Sequence, residues 1–526
     1  MSRTAAPASA RQAEGNLNRL AGGITLLFSG GWVAYLLSLA FNVAVARHLG
    51  PQAFGAFTVG LTTSILLTRI APVGMNLAVT RYVAIYHGQG DPRRIRGVVR
   101  LALAVTLAGG TAVGGAVFLL AGPLATGVFH APELAGVLRV FALTIPIGAT
   151  SDTLLAAVRG CSHVASTVTI RSFASPGLRM LAALAALAVA SSATGVAVSY
   201  TVAEGVSLLL ALAAARRVLP GPAAGRPIRP DGEVFRFAWP LALNHLVNAS
   251  SSKAEVFLLG ALDKVGSVSL FAAAQRFTVV AEAVMGAVGL AFSPMASDLY
   301  AHDQREHLAR LYKAASRWMF MIGVPVFLTQ VLFGRLLLGA FGDAFEAAER
   351  TMVVLACGQL VYYTTGTAFH MLVMTGRSRL AFANSLAYVV VSLGLNVALI
   401  PRFGLMGAAV ANSAAVVAYG LVVVAQVHRV TGMHPWSPSF VKPAAAGLAA
   451  ALGSGWLAGL LPLGPGRLHD LAHLGILLAL YPGVLAALRL HPDDRMVVGA
   501  VTARVRRRQP AAPGPAAPGP AQHGSP

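Results

Sequence analysis

The sequence predicts an all-α, polytopic membrane protein with about 14 transmembrane helices. Of its 526 residues, 56% are hydrophobic and only 11% are charged, and the mean hydropathy is +0.68. Soluble domains carry roughly 25% charged residues, so this composition favours lipid as the solvent. Apolar runs of about 20 residues, the length that crosses a bilayer, recur along the chain. The connections between them alternate between rich and poor in positive charge, as expected when successive helices cross in opposite directions.

Two six-helix lobes followed by two further helices account best for the order of these runs. The first span follows a polar basic segment, and no cleavage site separates it from a soluble stretch, so we expect an uncleaved helix. The predicted spans lie at 22–46, 53–74, 99–121, 136–157, 173–191, 194–215, 237–261, 267–292, 316–340, 351–374, 380–400, 405–427, 441–462 and 470–489. The expected organisation is a basic cytoplasmic tail (1–20), a first lobe (21–215), a cytoplasmic linker (216–236), a second lobe (237–430), helices 13 and 14 (431–490), and a disordered cytoplasmic tail (491–526).

The basic residues support a topology with both ends of the chain in the cytoplasm. Of the 40 lysines and arginines, 30 then fall in inner segments, 5 in outer loops and 5 within spans. This is the asymmetry of the positive-inside rule. The net charge of +21 is therefore mostly a topology signal, which argues against a nucleic-acid partner.

A weak internal repeat relates the two lobes. The pairs Ile85-Tyr86 and Leu299-Tyr300 each precede a basic stretch. Gly50 and Gly266 are separated by nearly the same number of residues as these two pairs. Such a repeat is typical of transporters built from two like bundles. The chain shows no Gly-rich phosphate loop and no cysteine pattern for a metal site, so we expect neither an enzyme nor a cofactor.

Charged residues within spans mark the candidate site, because a charge facing lipid costs several kcal/mol unless it pairs or lines a cavity. Lys253 and Arg276 lie in the outer halves of spans 7 and 8 and are the main candidates. A cavity walled by cations suits an anion, and the planar guanidinium of arginine suits phosphate. Pairing of these cations with Glu255 and Glu282 across the two helices is the alternative.

Three acids could serve a coupling ion or simply pair between helices. They are Asp152, Glu204 and Glu282. Arg69, near the inner end of span 2, is a further candidate, although its side chain could reach the membrane surface. Gly110 and Gly114 in span 3 are expected to be positions of close helix packing.

Several motifs resemble those of Wzx-type polysaccharide flippases, in the multidrug/oligosaccharidyl-lipid/polysaccharide exporter superfamily. They are VARHLGPQAFGAFTVG and APVGMNLAVTRYVA in the first half, and LFAAAQRF, FSPMASDLY, LARLYKAASRW and VMTGRSRLAFANSLAYVVVSLGLNVALIPRFGLMGAAVANSAA in the second. The resemblance covers about residues 20 to 490. It implies two lobes around a central cavity, and export of undecaprenyl-diphosphate-linked oligosaccharide by alternating access across the bacterial cytoplasmic membrane.

The resemblance also implies roles for particular residues and partners. Arg47 in the ARHLGP turn and Arg81 after the break in span 2 join Lys253 and Arg276 as candidate substrate-binding residues. The implied partners are the lipid-linked oligosaccharide, membrane lipids, and the glycosyltransferases and glycan polymerase of the same pathway.

Three other functions remain open on the sequence. A cation-coupled multidrug antiporter of the same superfamily would need carboxylates to dominate its cavity, whereas cations match or exceed acids in these spans. A glycan polymerase or ligase would need a sizeable outer loop, and the longest here has about a dozen residues. A transport-inactive scaffold of an envelope-assembly complex is the third.

Overall fold

The structure is a computed structural model that describes residues 8–189, 192–221, 226–228, 232–462, 464 and 466–488. The side chains of residues 8–30, 240–241, 243–254, 279–285, 287 and 290–291 lie outside this description. The described residues form helices and no strands. The α-helices are α1 (Ala8–Ile70), α2 (Met75–Gly88), α3 (Pro92–Pro123), α4 (Leu134–Gly160), α5 (Val164–Val168), α6 (Ser175–Val189), α7 (Ala193–Val218), α8 (Glu233–Leu262), α9 (Val265–Arg276), α10 (Val279–Ala301), α11 (Arg305–Leu332), α12 (Gly334–Gly339), α13 (Glu349–Thr365), α14 (Thr367–Met374), α15 (Ser378–Thr431), α16 (Val441–Gly459) and α17 (Arg467–Ala487).

Short segments of other helix types complete the chain. Leu124–Val128 and Thr169–Ala174 are π-helical turns, and Asp343–Ala348 and Pro438–Phe440 are 3-10 helices. The π-helical turn at Thr169–Ala174 joins α5 to α6, so Val164–Val189 is one continuous helix. The sequence predicted that this span begins at residue 173, and the structure starts the helix nine residues earlier.

Nine helices of the described residues are long and apolar enough to cross a membrane. The fold class is therefore confirmed as an all-α, multi-pass membrane protein. Two of these helices, α1 and α15, each contain two of the predicted spans, so the total of 14 stays a prediction.

Glycines turn the chain inside both of these long helices. Gly50 adopts φ 72° within α1 and Gly404 adopts φ 52° within α15, a region that L side chains rarely occupy. Pro51 follows the first turn and Pro401 precedes the second, so each removes a backbone donor there. These turns coincide with the predicted boundaries between spans 1 and 2 and between spans 11 and 12.

The helices pack into two groups. We call α1–α7 the N-terminal bundle and α8–α15 the C-terminal bundle, and the main contacts between them run from α1 to α8 and α9 and from α2 to α8. Close packing inside the N-terminal bundle uses small residues: a Cβ on Gly110 would lie 2.9 Å from Cα of Pro146, and one on Gly114 would lie 2.6 Å from O of Ala142. The expectation that these two glycines allow close helix packing is confirmed.

One apolar seam joins the two bundles at the ends predicted to face outside. Phe54 of α1 and Phe345 of the 3-10 helix meet edge to face, with ring centroids 6.0 Å apart. A Cβ on Gly55 would lie 2.1 Å from the carbonyl oxygen of Val265, so α1 and the start of α9 approach backbone to backbone. Helices α16 and α17 lie outside this seam and pack on α11, where the Tyr481 hydroxyl donates to the carbonyl of Met321 at 2.7 Å.

Candidate functional site

Arg276 lies at the contact between the two bundles, as the last residue of α9. Its Nη2 donates a hydrogen bond to Oδ1 of Asn42 in α1 at 3.0 Å. Its carbonyl, one of the last carbonyls of α9, accepts from the hydroxyl of Tyr35 at 2.9 Å. A cation at a helix C-terminus is also favoured by the helix dipole. Arg276 is in no ion pair among the described residues. The acceptor for its guanidinium is the neutral amide oxygen of Asn42, not a carboxylate.

Four charged side chains form a network inside the N-terminal bundle. Glu204 of α7 accepts from Arg171 Nη1 at 2.8 Å and from Arg179 Nη2 at 2.6 Å. The second nitrogen of the Arg171 fork, Nη2, pairs with Asp152 of α4. Two cations and two carboxylates leave this ion-pair network without net charge.

The local helix geometry explains how both arginines reach one carboxylate. Arg171 lies in the π-helical turn and Arg179 lies eight residues later in α6, which is about two turns along the same helix. Glu204 is nearly buried, with 5% of its side chain exposed, so it needs these partners. Asp152 is 39% exposed, and the arginines are 24% and 26% exposed, so these three side chains are only partly buried.

Tyr200 connects the network with the contact between the bundles. The Arg179 Cζ lies 4.6 Å from the centroid of the Tyr200 ring, a cation–π arrangement. The Tyr200 ring also packs against Phe41 and Phe141, at centroid distances of 6.2 and 5.6 Å. Phe41 precedes Asn42 in α1, and the amide of Asn42 contacts Arg276, so the Tyr200 ring lies next to the contact between the bundles. The five charged residues and Tyr200 therefore form one polar region beside the apolar seam.

The structure brings together three of the residues predicted for the site. Arg276, Asp152 and Glu204 belong to the polar region just described, the two acids as ion-pair partners of arginine. Arg47, Arg69 and Arg81 are exposed elsewhere, and Arg81 lies over the ring of Phe237, with 4.4 Å to the centroid. Lys253 and Glu282 lie on α8 and α10, but their side chains are outside the described residues. The alternative partner of Lys253, Glu255, is buried and accepts from Nδ2 of Asn412.

Sequence reasoning missed Arg171 and Arg179. The positive-inside count placed both among the 30 basic residues of the inner segments, whereas the structure places them on a helix that begins at Val164. Two of the 30 basic residues assigned to inner segments therefore lie within a helix long enough to span the membrane. The available signal was the pair of acids in spans 4 and 6, since carboxylates within neighbouring spans call for cations at the same depth.

The charges of this region are unevenly divided between its two parts. The ion-pair network balances its own charge, which leaves Arg276 as the excess cation among the six residues that form the polar region. The planar guanidinium of arginine can bind two oxygens of a phosphate through parallel hydrogen bonds. The partly exposed carboxylate of Asp152 supplies further hydrogen-bond acceptors at the far end of the network.

Comparison with known proteins agrees with this architecture. The model of the family of polysaccharide biosynthesis proteins matches residues 20–300. The chain belongs to this family. No curated protein matches the sequence of this family member.

The chain is similar in fold to several solved structures of membrane transporters. An inward-facing multidrug resistance transporter of the MATE family, in the MOP superfamily, has a TM-score of 0.65 at 16% identity, over 76% of this chain and 94% of the other. The lipid II flippase MurJ in an inward closed conformation also has a TM-score of 0.65, at 13% identity over 88% of this chain and 98% of the other. A MOP transporter from Pyrococcus furiosus, described as having a binding pocket of reversed polarity, gives 0.57 at 16% identity, over 78% and 95%. This family member therefore has the MOP transporter fold.

Proposed function

We propose that this polysaccharide biosynthesis protein is a flippase for a lipid-linked oligosaccharide, with undecaprenyl diphosphate as the carrier. Alternating access of the two bundles moves the headgroup across the bilayer, and the lipid tail stays between them. The observation that carries the proposal is the position of Arg276, a cation between the bundles whose guanidinium contacts a neutral amide oxygen. A diphosphate is the anionic part of such a carrier, and arginine recognises phosphate through two parallel hydrogen bonds.

The ion-pair network suits the sugar portion of the same substrate. Its charges cancel, so it does not add to the attraction of an anion. The partly exposed Asp152 and Arg171 offer acceptors and donors in fixed positions, which is what a group rich in hydroxyls needs. We therefore propose that the diphosphate of the substrate binds at Arg276 and that its sugars bind at the ion-pair network.

A cation-coupled drug antiporter fits these contacts less well. A cationic drug needs carboxylates that are not already neutralised, and both Asp152 and Glu204 pair with arginine. We place the flippase in the bacterial cytoplasmic membrane, with both ends in the cytoplasm. There it would act between the glycosyltransferases that build the headgroup and the polymerase that extends it.

Binding of a short prenyl diphosphate tests the anion site directly. Geranyl diphosphate, titrated into the purified full chain in nanodiscs, is expected to bind, and Arg276→Gln is expected to weaken binding by about tenfold or more, the loss for a charge-assisted contact. Arg335→Gln is the matched control, because Arg335 is 74% exposed and pairs with Glu349 away from the site. Equal binding by the native chain and the Arg276 variant would contradict the assignment. Preferential binding of a lipophilic cation would favour the antiporter.

A further inference from the structure

We propose that Asn42 competes with the substrate for Arg276, so that binding of the anion releases a contact between the two bundles. The inference rests on the proposed function, because it takes Arg276 as the diphosphate site. In the structure, the amide oxygen of Asn42 occupies a position on the guanidinium that a phosphate oxygen would take. Loss of that hydrogen bond then accompanies binding of the substrate.

The orientation of the Asn42 amide is fixed by its own surroundings. Its Nδ2 donates to the carbonyl of Ser38 one helical turn earlier, at 2.6 Å, and the residue is 3% exposed. Because the nitrogen is held by a carbonyl, the oxygen is the atom directed at Arg276. A buried asparagine oriented in this way acts as a resident acceptor for the guanidinium.

An amide oxygen is a weaker partner for arginine than a phosphate oxygen. A phosphate oxygen carries a formal negative charge and an amide oxygen only a partial one, so the Coulomb attraction of the guanidinium is greater for the phosphate. The amide can therefore hold Arg276 while the site is empty and give way when a diphosphate arrives. A carboxylate at the same position would hold the cation too firmly for that exchange.

The contact spans the two bundles, which gives the exchange a mechanical consequence. Asn42 belongs to the N-terminal bundle, and Arg276 belongs to the C-terminal bundle at the end of α9. The helix breaks immediately after Arg276, at Phe277 and Thr278, before α10 begins. A shift of the guanidinium toward a ligand can therefore alter the angle between α9 and α10 without unfolding a helical turn.

The apolar seam near Phe54 and Phe345 lies at the ends predicted to face outside, and the Asn42–Arg276 bond adjoins it along α1 and α9. Removing the bond weakens the set of contacts that holds these ends together. Linkage then requires that the substrate favour separation of the outer ends, and that separation favour binding of the substrate. A diphosphate that enters from the cytoplasm would in this way promote opening to the opposite side.

Two substitutions of Asn42 should change the affinity in opposite directions. Asn42→Leu removes the competing oxygen, so geranyl diphosphate is expected to bind about fivefold more tightly, the effect of one net hydrogen bond. Asn42→Asp supplies a carboxylate that pairs with Arg276, so binding is expected to weaken at least tenfold. Both variants are measured as the full chain in nanodiscs, with a single symmetrical elution peak as the check on folding.

A distance measurement between the bundles supplies a second readout. Spin labels are attached to Pro132→Cys and Ala344→Cys, two exposed positions near the seam on opposite bundles, in a Cys357→Ser background. The distribution of distances between the two labels is measured by double electron–electron resonance. Adding geranyl diphosphate and introducing Asn42→Leu are each expected to shift this distribution toward longer distances. Asn42→Asp is expected to keep the short distance when the ligand is added.

The outcomes separate this inference from the proposed function. If the native chain binds geranyl diphosphate and Arg276→Gln does not, while Asn42→Leu binds equally or more weakly, Asn42 is not a competitor and the inference is overturned. If neither the native chain nor any variant binds the ligand, the diphosphate site itself is wrong and the inference fails with it. Tighter binding by Asn42→Leu together with the longer distance supports competition.

Discussion

Arg179 and Glu204 form an ion pair at 2.6 Å inside the N-terminal bundle, between the neighbouring helices α6 and α7. The carboxylate of Glu204 also accepts from Arg171 at 2.8 Å. Burying one acid between two arginines is stable only while all partners remain, because a lone charge in an apolar interior is costly. The network is therefore expected to matter for folding as well as for the substrate.

Glu204→Gln is predicted to destabilise the protein strongly. The change leaves two arginines without their shared carboxylate, and breaking a buried ion pair costs about 3–5 kcal/mol. The apparent melting temperature in detergent should fall by about 3–5 °C for a chain of this length, measured by intrinsic fluorescence. Asp303→Asn is the matched control. The Asp303 side chain is 80% exposed in its pair with Arg305, and surface pairs contribute about 0–1 kcal/mol to the free energy of unfolding. Equal melting temperatures for the two variants would argue against the network.

Asp152→Asn is predicted to affect the substrate more than stability. Asp152 is 39% exposed, so loss of its charge leaves Arg171 still paired with Glu204. Transport of the complete lipid-linked oligosaccharide should fall several-fold, while geranyl diphosphate, which has no sugar, should bind as in the native chain. The comparison is made in proteoliposomes and by titration. A parallel loss of both activities would assign Asp152 to the diphosphate or to folding instead of to the sugar.

Gly55→Val is predicted to separate the bundles at the apolar seam. A Cβ there would lie 2.1 Å from the backbone oxygen of Val265, and backbone cannot yield as a flexible side chain does. The distance between labels at 132 and 344 should lengthen without ligand. Gly115→Val is the control, because Gly115 in α3 has nothing within 4 Å of its added Cβ. A distance unchanged from the native chain would show that the seam tolerates the side chain.

The two cysteines are predicted to differ in reactivity. Burial raises the pKa of the Cys161 thiol, so less of it is the reactive thiolate at pH 7 to 8. Cys161 is 2% exposed, whereas Cys357 is exposed on α13. In a Cys357→Ser variant, a maleimide should label Cys161 only after denaturation, as measured by mass spectrometry of the intact chain. Rapid labelling of the folded variant would contradict the packing around the end of α4.

The sequence predicted much of the architecture because hydropathy and charge report directly on membrane crossing. The turns at Gly50 and Gly404 fall where adjacent predicted spans meet, although both lie inside helices that are otherwise continuous. Arg276 was predicted because a charged residue in the outer half of a span must pair or line a cavity. Its actual partner, Asn42, could not be predicted, since it lies 234 positions away on the other bundle.

Arg171 and Arg179 show where the sequence method fails. A positive-inside count treats cations near the end of an apolar run as part of the loop, and here the run continues as a helix back to Val164. Tertiary contacts with Asp152 and Glu204 stabilise cations that hydropathy alone assigns to water. The predicted roles of Lys253 and Glu282 stay predictions, because their side chains lie outside the described residues.

The most direct test of the central claim is a flipping assay with undecaprenyl-diphosphate-linked oligosaccharide in proteoliposomes, in which access of a lectin to the glycan reports translocation. The native chain and Arg335→Gln should translocate the lipid at the same rate. Arg276→Gln should lose at least about tenfold in rate, and Arg276→Lys should fall between, since lysine keeps the charge and loses the bidentate fork. Translocation at the native rate by Arg276→Gln would contradict the claim that this arginine carries the substrate's diphosphate.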